Sequence, residues 1–141
     1  MSTFNHLIQV LKGMLSTPSD EEREALFNET LMLTLSRATK ADTNISHIEV
    51  ETVQRVYKEE TGIDIESKDV RVAALSELYE EQSLVTMLSK VRVVMDRDSH
   101  LRIANALAAV IRADEKVSPF EIEFFNGVIK ALGLSASDLA L

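Results

Sequence analysis

The chain has 141 residues, no cysteine, and 23 acidic against 15 basic residues, giving a formal charge of −8. That length holds one hydrophobic core, and the missing cysteines remove disulfide frameworks, thiolate zinc sites and cysteine nucleophiles together. The acidic balance argues against a nucleic-acid binder, because contact with phosphate needs a basic footprint.

Hydrophobic residues at 45 % and charged residues at 27 % describe a soluble globular chain and argue against disorder. With four glycines, two prolines and no sustained period-two alternation, the whole sequence reads as helices. The first is expected from about Thr3 to Ser16, with Phe4, Leu7, Ile8, Leu11 and Leu15 as its apolar stripe. Pro18 closes the link, and Ser19 with Glu22 forms a capping box for the second helix. That helix carries Ala25, Leu26, Leu31, Leu35 and Ala38 inward and ends near Ala41. The third starts at Ser46, turns Ile48, Val53, Val56 and Tyr57 to the core, and stops at Gly62. The fourth spans about Lys68 to Glu80 on Val70, Ala74 and Leu78. The fifth follows from Ser83 on Leu84, Leu88, Val91 and Met95.

Asp98 or Ser99 is the expected cap of the sixth helix, which buries Ile103, Leu107 and Ile111. The seventh opens at Ser118, has Phe120, Phe124, Phe125, Val128 and Leu132 as its apolar side, and stops at Gly133. Ser135, with Asp138 three residues on, caps a last short turn. The fold class is all-α: one compact domain, residues 1–141, of about seven helices joined by short links.

Self-comparison yields more than composition does. Shifting the chain by 72 residues lays Ala41–Glu51 over Ala113–Glu123 with five of eleven positions identical. Leu35 then meets Leu107, Val53 meets Phe125, and Val56 meets Val128. With one residue of slack, Gly62 meets Gly133. Each copy reads as helix, Asp-x-x-x-Ser-x-x-Glu turn, helix, glycine stop. Two pseudo-symmetric helix-turn-helix repeats follow, over about 31–66 and 103–138.

Ser46 with Glu49, and Ser118 with Glu121, have capping-box spacing, and Pro119 falls at the first helical position. Asp42 and Asp114 fit less easily, because a carboxylate at a helix end faces the negative pole of the macrodipole. Two readings stay open. The carboxylates meet the amides of the following helix, or Asp and Glu hold a cation between them. Asp42, Asn44, Ser46 and Glu49 offer oxygen donors suited to Ca²⁺ or Mg²⁺, whereas Lys116 replaces Asn44 in the second copy. The loop is not an EF-hand, since Val53 occupies the place of the closing glutamate and no glycine makes the turn. The metal-ligating candidates are therefore Asp42, Asn44, Glu49, Asp114 and Glu121.

Catalytic signatures are missing: no glycine-rich phosphate loop, no nucleophile elbow and no His-Glu-x-x-His occurs. None of His6, His47 and His100 follows a glutamate by three residues, which excludes the usual di-iron bundle. The chain is thus expected not to be an enzyme. Charge is uneven, with 12 acidic and 5 basic residues over 17–66 and 5 basic against 2 acidic over 90–112. Such a dipolar surface allows acidic-to-basic stacking of copies or docking of an acidic protein. The N-terminus has no basic signal region. The longest apolar run, Ala106–Ile111, falls far below the roughly 18 residues that cross a bilayer. A cytoplasmic protein is expected, with no membrane insertion.

Ala113-Asp114-Glu115-Lys116-Val117-Ser118-Pro119-Phe120-Glu121, leading to Leu132-Gly133-Leu134, resembles the run that marks the TerB-like family, named for a tellurite-resistance component. The resemblance covers the second to seventh helices and implies an all-helical fold with metal-binding acidic turns. Asp42 and Glu49 in one half, and Asp114 and Glu121 in the other, match the acidic positions. Thr43 and Glu115 stand where the family usually has glycine. The resemblance further implies a non-catalytic protein-interaction module connected with stress or tellurite resistance. The alternative is a metal-free scaffold or oligomerisation domain whose acidic turns only cap helices.

Overall fold

A computed structural model describes residues 4–39, 50–74, 84–113 and 119–139 of the chain. Seven α-helices occupy them: α1 (Asn5–Leu11), α2 (Asp20–Ala38), α3 (Val50–Thr61), α4 (Ser67–Ala74), α5 (Leu84–Val91), α6 (Arg97–Arg112) and α7 (Pro119–Ala131). Short 3₁₀ turns follow α5 at Arg92–Val94 and α7 at Ala136–Asp138, and no strand occurs among the described residues.

Helix α2 is the axis of the bundle. It packs against α1, α3, α4 and α6, while α5 bridges α1 to α7 and α6 touches both α3 and α7. Leu26, Leu31, Leu33 and Leu35 are fully buried, and Phe27, Met32 and Ala38 nearly so. A helix enclosed on several sides buries residues all round its circumference rather than along one stripe. The one-sided stripe expected from Leu26, Leu31 and Leu35 is therefore too narrow, and Ala25 is only half-buried. Thr30, Thr34 and Ser36 are drawn inside with the leucines.

The expected faces of α3, α4, α5 and α6 are otherwise found, with Val53, Val56, Tyr57, Val70, Ala74, Leu84, Leu88, Val91, Met95, Ile103, Leu107 and Ile111 all in the core. Leu78 and Ile48 lie outside the described residues. Three expectations are corrected. Helix α1 is shorter than expected, ending at Leu11, with Gly13 in a left-handed turn at φ 75° and Met14 73 % exposed. Asp96, not Asp98 or Ser99, caps α6, its carboxylate accepting the Ser99 amide at 2.9 Å. On α7, Phe124 and Phe125 are half-buried, whereas Val128, Ile129 and Leu132 reach the core.

Two glycine stops hold. Gly62 and Gly133 take φ of 75° and 73°, a region open to glycine without steric cost. The turns that join α2 to α3 and α6 to α7 lie outside the described residues, and the pseudo-twofold relation of the repeats is a sequence expectation.

Candidate functional site

Of the five proposed ligands, Asp42, Asn44, Glu49 and Asp114 lie outside the described residues. Glu121 does not. It is the third residue of α7, and it is 1 % exposed, with both carboxylate oxygens shielded from solvent.

The same helix position elsewhere in the chain gives the comparison. Glu22 is the third residue of α2, where it closes a reciprocal capping box. The Ser19 amide donates to its carboxylate at 3.0 Å and the Glu22 amide donates to Ser19 Oγ at 3.2 Å. The Ser19 backbone N–H holds the Glu22 carboxyl below its usual range. That cap sits at the surface, with Ser19 exposed and Glu22 partly so. A capping role requires no burial, and burying a carboxylate costs several kcal/mol unless strong partners or a proton compensate. Glu121 therefore differs from a simple cap in its surroundings, though not in its spacing. A carboxylate shielded from water is a hard oxygen donor of the kind a divalent cation takes. Among the described residues no three His, Asp or Glu side chains converge.

Sequence spacing missed a second polar site. Glu29, on α2, carries a side chain only 10 % exposed; it accepts the Leu7 backbone N–H at 3.0 Å and pairs with His6 Nδ1. An ionised carboxylate only accepts, so Nδ1 carries the hydrogen in this contact. The amphipathic stripe of the first helix gave no sign of this, because the partners are 22 and 23 residues apart.

A groove of about 200 Å³ lies between the start of α2, the end of α3 and the start of α6. Phe27 and Met95 are among its lining residues, and the Arg102 guanidinium stacks 4.1 Å from the Phe27 ring centre. Arg102 also donates to the Glu60 carbonyl at 2.9 Å, which joins α6 to the end of α3. Nearby, the Tyr57 hydroxyl donates to the Asn28 carbonyl at 3.3 Å, and burial pushes that phenol above its ordinary value.

The architecture defines a class first: an all-helical domain whose last long helix opens with a buried acidic residue. Comparison with protein families then gives the particular one. The family described as "Tellurite resistance protein TerB" matches residues 28–141, and the chain belongs to it. No curated protein and no solved structure matches the chain. Among the described residues, no helix is long and apolar enough to cross a membrane.

Proposed function

We propose that the chain is a non-catalytic protein-interaction module whose acidic turns bind a divalent cation, Ca²⁺ or Mg²⁺. The observation that carries this reading is the full burial of Glu121 at a helix position where the chain's own capping glutamate, Glu22, is only partly buried. Asp114 would complete the second turn. Asp42, Asn44 and Glu49 would form the first, whose donor set lacks the competing ammonium of Lys116. The cation would cross-link the end of one helix to the start of the next and set the angle between them. Membership of the TerB family supports the same assignment of the acidic positions.

The test is thermal unfolding of chelator-stripped protein with excess Ca²⁺, Mg²⁺ or Mn²⁺ at matched ionic strength. Matching is needed because any salt relieves self-repulsion in so acidic a chain. Binding at 100-fold over the dissociation constant adds about 2.7 kcal/mol and raises the midpoint by about 5–10 °C. Asp42→Asn and Glu121→Gln should each reduce the shift. A midpoint that ignores all three cations overturns the reading.

A second reading has its own observation. Ser19 and Glu22 show the chain using Ser-x-x-Glu as a pure cap. On that reading the domain is a metal-free scaffold or oligomerisation unit. Cations then leave the midpoint unmoved, and sedimentation shows concentration-dependent self-association.

A further inference from the structure

Helix α1 is seven residues long, far shorter than a helix that holds its shape alone in water. Its own N-cap residue, Phe4, makes no side-chain cap. What keeps α1 helical is its seat on α2 and α5. Phe4 and Leu7 are buried there, and Ile8 and Leu11 pack partly buried against the same core. At the N-terminal end of the seat, the Glu29 carboxylate reads the helix directly, accepting the Leu7 amide and pairing with His6. The seat thus has the two components of helix-in-groove recognition: an apolar trough for residues at i, i+3, i+4 and i+7, and a polar group that fixes register.

The link from α1 to α2 is irregular, with Pro18 buried and Leu15 half-buried along it. Residues 12–19 carry no regular helix, turn through Gly13 and leave Met14 exposed. The family match begins at residue 28, so it includes Glu29 and all of α5 but not α1. Most of the groove thus lies within the matched region, and its occupant lies before it.

We propose that the α2–α5 face is a helix-binding groove and that α1 is its resident intramolecular ligand. When α1 lifts, the groove takes an amphipathic helix of a partner protein. That helix presents apolar residues at the spacing of Phe4, Leu7, Ile8 and Leu11 and a basic residue where His6 stands. Glu29 selects the basic residue, and a positively charged helix is also steered by the net charge of −8. The inference rests on the seat of α1 and is independent of the cation reading.

Two measurements test it. In the wild-type protein, amide hydrogen exchange should show α1 opening as a separate unit, with Ile8–Leu11 exchanging at least about 100-fold faster than Leu31–Leu35. Equal protection of the two segments means that α1 leaves only on global unfolding, and overturns the proposal. The second measurement uses full-length Leu7→Glu, whose α1 no longer fits the groove. A fluorescein-labelled peptide of residues 2–16 should bind this variant saturably. Binding to wild type should be at least about 10-fold weaker, because the tethered α1 competes at millimolar effective concentration. Replacing His6 of the peptide by arginine should tighten binding several-fold, and Glu29→Gln in the Leu7→Glu chain should remove that gain. Equal binding to wild type and variant, or no binding to a Leu7→Glu chain that keeps its helical circular dichroism, overturns the proposal. So does a Leu7→Glu dimer that the peptide dissociates, which would make the occupant a second copy's α1.

Discussion

Thr30 and Ser36 hold hydroxyl groups inside the bundle with no hydrogen-bond partner for either oxygen among the described residues. A buried hydroxyl without a partner costs its desolvation, so Thr30→Val should raise stability by about 1 kcal/mol in urea unfolding. Thr34 is the control. Its hydroxyl donates to the Thr30 carbonyl at 2.8 Å, and Thr34→Val should give no such gain. Glycine supplies a second contrast. Gly13 and Gly133 share a left-handed φ, but a methyl at Gly13 meets open space, while at Gly133 it would fall 2.0 Å from Arg92 Nη1. Gly13→Ala should cost about 1 kcal/mol of backbone strain. Gly133→Ala should cost about the same, because the Arg92 guanidinium is the far end of a flexible side chain and swings aside, and Arg92→Ala should leave that cost unchanged in a double-mutant cycle.

Helix ends set the behaviour of the elements in acid. The carboxyls of Glu22, Asp96 and Asp138 all lie below their ordinary values, each held there first by a backbone N–H, of Ser19, Ser99 and Ser135 respectively. A carboxyl depressed in the folded state stabilises above its unfolded value, about 3.9 for aspartate, and loses that contribution as pH falls through the folded value. Asp96→Ala should therefore destabilise by about 1 kcal/mol at pH 7, and the difference from wild type should shrink below about pH 4 in acid-unfolding curves. Much of this level was legible in the sequence. The stripes of α3, α5 and α6, the Ser19–Glu22 box, the glycine stops and the Ser135–Asp138 turn all rest on local spacing that the fold keeps. The cap of α6 was not, because Asp96, Asp98 and Ser99 all satisfy capping chemistry within four residues. The choice depends on where the preceding 3₁₀ turn and the extended Met95 release the chain. Nor was the burial of Glu121 or Glu29, since a carboxylate's depth is decided by which helices cover it.

At the scale of the whole molecule, α2 gathers contacts from both sequence directions. One neighbour, α1, precedes it, α3 and α4 follow it closely, and α6 begins only at Arg97. The leucines of α2 are therefore made long before the helix that completes their cover. On a ribosome adding 5–20 residues per second, the gap of about 60 residues between Ala38 and Arg97 lasts roughly 3–12 s. During that interval the nascent chain carries an incompletely covered apolar axis, which should make it a substrate for holdase chaperones. Ribosome-stalled chains ending before Arg97 should be captured by such chaperones and cleaved readily by protease, and chains extended beyond α7 should resist both. On that outcome, order of synthesis as well as net stability governs how much of this protein reaches its folded state.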